Sequence, residues 1–269
     1  MSPSSARSPD KQKTIKKDFT LSGIGIHSGE SCAATFRPAE ADSGIYFIYR
    51  RGKIPALIKY VTRSDRGTTV SGIRVTEHAL AAAAGLGIDN LEIELSNSEL
   101  PILDGSALPY VSAFKNSGIL EQNNDKIPLY LKEQIEIKGD SASIKIIPFD
   151  GFKAHFMIDF PCIGKQTFVF SDNFEAEIAP ARTFGLIEEL EHLKSRGLAR
   201  GASLENALAI GRDGFINQPR FPDEPVRHKI LDLIGDLALV GRPIKGEIFA
   251  VKSGHRLNVE LARRLFDLC

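Results

Sequence analysis

The amino-acid sequence predicts an α+β fold made of two similar units. In each half, strand-like segments are followed by a helix with a histidine near its start, a glycine that ends the helix, a further strand and a closing helix. The two histidines are His78 and His228. One order of parts that occurs twice is typical of an internal duplication, and strands followed by helices favour helices packed on a sheet. We therefore predict α+β units at 18–120 and 128–269, with a site at their junction.

Composition and charge agree with a globular protein of two compact domains. The chain has 269 residues, of which 42% are hydrophobic and 25% are charged. The formal net charge is zero, so nothing global indicates binding to nucleic acid or to an anionic membrane surface. The cysteines are too far apart to predict a disulfide framework or a thiolate zinc site, and no apolar run is long enough to span a bilayer. We expect a cytoplasmic protein with no transmembrane segment and no nucleic-acid partner.

Sequence signals in the first half predict strands and then two helices. Residues 1–17 are rich in Ser, Pro and Lys and are predicted to form a disordered leader. A glycine-rich turn around His27 fits either a tight hairpin or a close approach of the backbone to a ligand. The polar stretch 121–127 is predicted to link the two units. The other predicted segments are strands between 19 and 60, a helix at 76–84, a strand at 91–95 and a helix through 110–115.

The second half follows the same order, with its clearest helix signals at residues 225–240. Pro225 suits the first position of a helix, and Gly241 is placed to end it. His255 is predicted to lie in the turn before the last helix. The other predicted segments are strands at 129–137, 142–147, 153–160, 166–170 and 246–251, and helices at 186–195 and 259–266.

The helix at 225–240 carries a possible metal-binding pattern. His228, Asp232 and Asp236 are four residues apart, so they project from one side of the helix. That side adjoins apolar residues, and buried imidazole and carboxylate groups need partners. A histidine and an aspartate at this spacing can bind one Zn²⁺, although a histidine that is hydrogen-bonded to the aspartate of its own helix fits the pattern as well. With His78 from the first unit, three ligands would leave a fourth position for water, as in catalytic zinc sites.

Two further side chains have the chemistry of an acid–base pair. Glu77 precedes His78 and can act as a general base, or it can be a solvated carboxylate in the first turn of a helix. His255 can be held by Asp236 and can stabilise an oxyanion or protonate a leaving amine, or it can be a surface histidine. Weaker candidates beside this region are Thr183, Lys229 and Lys252.

Several motifs, in a fixed order over nearly the whole chain after the leader, resemble those of the UDP-3-O-acyl-N-acetylglucosamine deacetylase family, the zinc amidases that commit the lipid A pathway of Gram-negative bacteria. The motifs are Ser22-Gly23-Ile24-Gly25-Ile26-His27-Ser28-Gly29, Glu77-His78, Gly85-Leu86-Gly87-Ile88-Asp89-Asn90, Pro101-Ile102-Leu103-Asp104-Gly105-Ser106, Ala181-Arg182-Thr183-Phe184, Val226-Arg227-His228-Lys229, Asp232, Gly235-Asp236 and Lys252-Ser253-Gly254-His255. The order of so many motifs is far more specific than any one of them.

The resemblance implies helices sandwiched between two sheets and a role for each site residue. It implies metal ligands at His78, His228 and Asp232, and a general base at Glu77. It also implies His255 as an electrostatic stabiliser or acid with Asp236 as its partner, Thr183 as an oxyanion donor, and Lys229 and Lys252 near the anionic part of the substrate. We expect one Zn²⁺ per chain, and the same donors also accept Fe²⁺.

The resemblance also implies an apolar passage for an acyl chain, built by a strand-rich insertion in the second unit. We place this insertion at 158–170, with core packing of its side chains as the alternative. The candidates to line it are Phe160, Ile163 and Phe168, and further candidates for substrate contact are Phe184, Gly201 and Ser203. The sequence departs from the family pattern at Arg66-Gly67-Thr68-Thr69, Ala79, Ala202 and Leu204.

The implied reaction is zinc-dependent hydrolysis of the 2-acetamido group of UDP-3-O-(3-hydroxyacyl)-N-acetylglucosamine, with release of acetate. We expect a monomer. Two alternatives stay open at this point. One is a metallo-amidase that acts on another acylated amino sugar, and the other is a binding protein for acylated nucleotide sugars that does not turn them over.

Overall fold

The computed structural model describes residues 10–269. The elements of the first half are β1 (Lys11–Ile15), β2 (Phe19–Ile24), β3 (Ser31–Pro38), β4 (Ile45–Tyr49), β5 (Gly52–Pro55), a 3₁₀ turn (Ile58–Tyr60), β6 (Val61–Arg63), β7 (Thr69–Val70), α1 (Glu77–Gly85), β8 (Leu91–Leu95), α2 (Leu108–Ser117) and β9 (Ile119–Asp125). Those of the second half are β10 (Leu129–Tyr130), β11 (Ile135–Lys138), β12 (Ser143–Pro148), β13 (Phe152–Phe160), β14 (Gly164–Phe170), α3 (Phe174–Glu177), β15 (Phe184–Leu186), α4 (Ile187–Ser195), β16 (Leu208–Gly211), β17 (Gly214–Phe215), α5 (Glu224–Ala238), β18 (Ile244–Val251) and α6 (His255–Phe266).

Each half builds a sheet with the same strand order. The first sheet has the order β2-β3-β8-β4-β5, and the second has the order β11-β12-β18-β13-β14, with the short β10 added beside β18. In both sheets the last strand is inserted between the second and the third, antiparallel to the former and parallel to the latter. A topology that repeats in this detail confirms the predicted α+β fold with an internal duplication.

The equivalent helices α1 and α5 pack against each other between the two units. Every residue of α1 from Glu77 to Ala83 is buried, as expected for a helix that is enclosed on more than one side. Gly235 of α5 makes the close approach possible, because a Cβ atom at this position would lie 2.1 Å from the carbonyl oxygen of Glu77. The absence of a side chain at Gly235 therefore brings the first turn of α1 against α5, and His78 with it.

Near the chain start and between the units, the structure differs from two predicted boundaries. Residues 1–9 of the predicted leader lie outside the described residues, but Lys11–Ile15 forms strand β1. This strand pairs with β9, which includes most of the stretch that was predicted as a linker. Buried Gln12 and Asn90 hydrogen-bond each other beside this pair, and Asn90 also donates to Gln122. Polar side chains thus hold these strands together, which a search for apolar patterns does not detect.

The predicted insertion at 158–170 also differs from the structure. These residues belong to the hairpin of β13 and β14, which is part of the main second sheet and equivalent to β4 and β5. The segment without an equivalent in the first half lies later, at residues 171–223, and includes α3, α4 and a small sheet of β15, β16 and β17. Its strands have two to four residues, so they give little periodic signal in the sequence.

Two other features of the helices bear on the predictions. His255 was predicted in a turn but is the first residue of α6. None of the helices in residues 10–269 combines the length and the apolar character of a membrane-spanning helix.

The contact at Gly235 gives a test of the packing between α1 and α5. We expect Gly235→Ala to lower the free energy of unfolding by about 1 to 3 kcal/mol, since the added methyl group must push the two helices apart. Gly185→Ala is the control, because a Cβ atom there meets nothing within 4 Å and its backbone is not left-handed. Denaturant unfolding of the two variants measures the difference, and equal stabilities would contradict the packing described here.

Candidate active site

Three buried side chains at the junction of α1 and α5 direct possible ligand atoms at one another. They are His78 from α1 and His228 and Asp232 from α5, and one ligand atom of each lies within 4.8 Å of the others. The two imidazole rings are 5.1 Å apart between centroids, and His228 Nε2 is 3.3 Å from Asp232 Oδ1. The spacing of four residues along α5 places the second and third side chains on one face of the helix. The duplication thus brings donors from both halves to one point.

Hydrogen bonding and burial leave the two histidines suited to bind a cation. The Nδ1–H of His228 donates to the carbonyl oxygen of Ala181 at 3.0 Å, which directs Nε2 toward Asp232. Burial, followed by the nearby His228, lowers the pKa of His78 to about 3, so its ring is neutral. His78 Nδ1 is buried and has no hydrogen-bond partner among residues 10–269. A neutral imidazole with an unpartnered nitrogen, beside the Nε2 of a second histidine, fits a divalent metal.

Asp232 supplies a negative charge to the same group. Burial raises the pKa of its carboxyl, but the positive charge of Lys229, with Nζ at 2.8 Å from Oδ2, lowers it. His228 and His255 lower it further, and the net direction is well below the ordinary value. The carboxylate is therefore ionised, and two imidazoles with one carboxylate form the donor set of a zinc site with an open fourth position.

Glu77 lies beside this group in a pocket formed by the segment before α1. The backbone N–H of Thr68 donates to Glu77 Oε2 at 3.1 Å. A Cβ atom at Gly67 would lie 3.0 Å from Glu77 Oε1, so this glycine leaves room for the carboxylate. Burial is the largest cause that raises the pKa of Glu77, to about 7, with further increases from Asp236 and Asp232. A carboxyl group that titrates near neutrality can both accept and release a proton in a reaction.

On the other side of Glu77, His255 is held as a cation. Its Nδ1–H donates to Asp236 Oδ2 at 2.9 Å, and its Nε2 lies 3.9 Å from Glu77 Oε1 and 3.7 Å from Asp232 Oδ2. Burial lowers the pKa of His255, but the charges of Asp236 and Asp232 outweigh burial and raise it to about 10. Its Nε2–H is therefore directed at the space between the two carboxylates, where it can donate to a developing negative charge.

A loop with a buried ion pair positions Thr183. The guanidinium and backbone N–H of Arg182 both donate to Glu224, which is fully buried at the start of α5. The N–H of Thr183 donates to the carbonyl of Gly105 at 2.7 Å, and its own carbonyl accepts from Leu208. These contacts fix the backbone of Thr183, and no hydrogen bond within residues 10–269 uses its hydroxyl group.

A cavity of about 700 Å³ opens onto these groups. This volume lies within the usual range for sites that bind small molecules. Its polar part includes His78, His228, Asp232, Glu77, His255, Thr183, Lys229 and Lys252. Its apolar part is formed mainly by β15, α4 and β16, through Leu186, Ile187, Leu190, Leu193, Ala207, Leu208 and Ala209. The site thus combines a charged centre with an apolar extension.

Comparison with known proteins places the chain in a family. The family model described as UDP-3-O-acyl N-acetylglycosamine deacetylase matches residues 12–267, which is nearly the whole chain. The chain belongs to this deacetylase family.

Curated members of the deacetylase family support the same assignment over almost the full length. A relative from Myxococcus xanthus is 42% identical over 271 residues, which cover 95% of this chain and 86% of the relative. A relative from Nostoc sp. is 40% identical over 277 residues, covering 96% and 99%, and one from Coxiella burnetii is 41% identical over 272 residues, covering 95% and 90%. Each of the three is named UDP-3-O-acyl-N-acetylglucosamine deacetylase.

The structure separates the residues that were predicted to contact substrate into two groups. Phe160, Phe184 and Ser203 line the cavity, and the rings of the two phenylalanines meet at 5.6 Å between centroids. Ile163 packs against the core, and Phe168 lies under the guanidinium of Arg227, so neither lines the cavity. Both lie in the β13–β14 hairpin of the main second sheet.

Gly201 and Asp236 lie behind the residues that line the cavity. Gly201 is buried where the glycine-rich turn before β3 meets the loop after α4, and a Cβ atom there would lie 2.4 Å from the carbonyl oxygen of Gly25. Asp236 is fully buried and contacts the cavity through His255. Neither residue lines the cavity itself.

Thr68 is a member of the site that the sequence did not indicate. Its backbone N–H donates to Glu77, and its hydroxyl donates to Asp236 Oδ1 at 2.5 Å. Asn258 also donates to Asp236, at 3.0 Å, so this carboxylate has partners on α6 and in the segment before α1. Thr68 and Asp236 are 168 positions apart, and no local pattern in the sequence indicates such a contact.

The raised pKa of Glu77 predicts how stability depends on pH. Its folded pKa of about 7 lies above the ordinary 4.5, so the unfolded chain loses the proton first and the metal-free protein loses stability between about pH 4.5 and 7. Glu77→Gln removes this loss. The quantity to compare is the free energy of unfolding of the variant minus that of the original protein. We expect this difference to be about 2 kcal/mol higher at pH 8 than at pH 5.

Denaturant unfolding of chelator-treated protein at both pH values measures this difference. Glu205→Gln, at an exposed position, serves as the control for loss of a surface charge. A difference between Glu77→Gln and the original protein that does not change with pH would show that burial does not raise the pKa of Glu77.

Proposed function

We propose that this chain hydrolyses the 2-acetamido group of a UDP-linked, 3-O-acylated glucosamine and releases acetate, the committed step of lipid A biosynthesis. The observation that carries the proposal is a set of metal-binding donors, Glu77 and His255 at one cavity in a member of the deacetylase family. We also propose that it works in the cytoplasm, which agrees with three unpaired cysteines.

We propose that His78, His228 and Asp232 hold one Zn²⁺, with Fe²⁺ as the alternative metal for these donors. When bound, such an ion supplies a Lewis acid that polarises a carbonyl group and lowers the pKa of a water molecule. The contact of Asp232 with Lys229 and His228 keeps its carboxylate ionised for this role.

The side chains around the metal donors divide the proton transfers between them. Glu77 accepts a proton from the water that adds to the acetamide carbonyl carbon. The hydroxyl of Thr183, which the surrounding loop leaves without a partner, donates to the resulting oxyanion. His255 then protonates the nitrogen as the carbon–nitrogen bond breaks, so the products are acetate and the free amine. Asp236 holds His255 in the protonated form that this step needs.

The apolar part of the cavity gives the acyl chain a place next to the reaction centre. We propose that α4, β15 and β16 form the passage that the sequence analysis assigned to the β13–β14 hairpin. The side chains of Leu190, Leu193 and Leu208 line this part, and Phe184 lies between it and His228 at 6.2 Å between ring centroids. Phe160 and Ser203 are proposed to contact the substrate where the two parts of the cavity meet.

Acetate release from UDP-3-O-acyl-N-acetylglucosamine by metal-replete protein tests the reaction. Glu77→Ala is expected to lower kcat by about 10²- to 10⁴-fold, because the water then lacks its base. Removal of the metal with a chelator is expected to abolish release, and added Zn²⁺ to restore it. Turnover of another acylated amino sugar in place of this substrate, or binding without acetate release by metal-replete protein, would contradict the proposed function.

The passage predicts a dependence on acyl-chain length. Ala207→Leu should reduce kcat/KM for long-chain substrates more than for short-chain ones, because its larger side chain narrows the cavity. Ala113→Leu on α2, outside the cavity, is the matched control. The same fractional loss for every chain length would show that this wall does not hold the acyl group.

A further inference from the structure

We propose that Arg256 binds the diphosphate of the nucleotide part of the substrate. This inference rests on the proposed function and adds a residue that the sequence analysis did not single out. It follows from the charges around the cavity, from the position of Arg256 on α6 and from the chemistry of nucleotide sugars.

The charges around the cavity distinguish Arg256 from the other cations. Arg66, Lys229 and Lys252 also line the cavity, and each has a carboxylate partner at 2.7 to 2.8 Å: Glu189, Asp232 and Asp159, respectively. Arg256 is exposed, and no carboxylate in residues 10–269 lies within 4.0 Å of its guanidinium. It therefore offers the cavity a positive charge that the folded protein does not neutralise.

The position of Arg256 on α6 does not stabilise the helix. Arg256 is the second residue of a twelve-residue helix whose first turn contains no acidic side chain. A cation at a helix N-terminus is unfavourable, because the backbone amides there already carry partial positive charge. An anion at the same place interacts favourably with both the amides and the guanidinium. The arrangement thus suits an anionic ligand.

The guanidinium lies at the edge of the cavity, over the turn that joins β11 and β12. A Cβ atom at Gly139 of this turn would lie 3.2 Å from Arg256 Nη2, so the glycine leaves room for the side chain. Ala142, at the other side of the turn, lines the cavity. Lys252 lines it four residues before Arg256, at the end of β18. Lys252 is paired with Asp159 at 2.7 Å, whereas Arg256 has no carboxylate partner of its own within 4.0 Å among residues 10–269.

The chemistry of the substrate requires an anion site close to the reaction centre. The acetamide is on C2 of the sugar and the diphosphate is on C1, so the two groups are only a few bonds apart. His255, which we assign to protonation of the amine, directly precedes Arg256 in the chain. A guanidinium is planar and can donate two parallel hydrogen bonds to phosphate oxygens. Arg256 has the charge, the geometry and the position for this contact.

Binding of UDP and of uridine, measured by calorimetry on the metal-replete protein, tests the proposal. We expect Arg256→Ala to raise the Kd for UDP about tenfold and to leave the Kd for uridine unchanged, since uridine lacks the diphosphate. Arg256→Lys keeps the charge and should weaken UDP binding less than the alanine variant does. Arg263→Ala is the matched control, because Arg263 is exposed on the same helix and does not line the cavity.

The outcomes separate this proposal from the proposed function. An unchanged Kd for UDP in Arg256→Ala, or an equal rise in Kd for UDP and for uridine, would overturn the role of Arg256. The proposed function would still hold in that case if the original protein released acetate. If the original protein neither released acetate nor bound UDP, both would be overturned. In steady-state kinetics, a role in diphosphate binding predicts a higher KM for Arg256→Ala with little change in kcat.

Discussion

The site depends on the close approach of α1 and α5 at Gly235. The absence of a side chain there lets the carbonyl group of Glu77 lie against the α5 backbone, which brings His78 within reach of His228 and Asp232. Neither half contains all three of these side chains, so the cluster exists only because the two units pack together through equivalent helices. The two sheets that these units contribute repeat one strand order, so α1 and α5 occupy equivalent places in the two halves.

Around this junction, burial and charge act together to set the protonation of each group. His78 is neutral, Asp232 is ionised, Glu77 titrates near neutrality and His255 is a cation, and all four lie in contact with one another or with the same cavity. Buried ionisable groups are costly unless they have partners. Asp236 hydrogen-bonds to Thr68, His255 and Asn258, and these partners offset that cost. This one carboxylate thereby links His255 to Thr68, whose backbone N–H donates to Glu77.

The sequence predicted those parts of the fold and site that depend on local spacing. The donors of α5 could be placed because residues four apart share a helix face, and the duplication could be inferred because the order of elements repeats. Contacts between distant segments could not be predicted in this way. Strand β1 is polar and needs β9 as a partner, and Thr68 reaches Asp236 across 168 positions. The apolar side of the cavity includes strands β15 and β16, which are too short to show a period. Phe168 was assigned to the passage from its location in the predicted insertion, and the structure instead packs its ring under Arg227.

We propose that donors from both halves form one metal site at the helix junction. The most direct test is the metal content of purified, exhaustively dialysed protein, measured by mass spectrometry for the original chain, His78→Ala and Asp232→Ala. We expect one divalent ion per chain in the original protein and loss of most of it in both variants, with circular dichroism unchanged. Full retention of the ion after either substitution would contradict a site shared between α1 and α5.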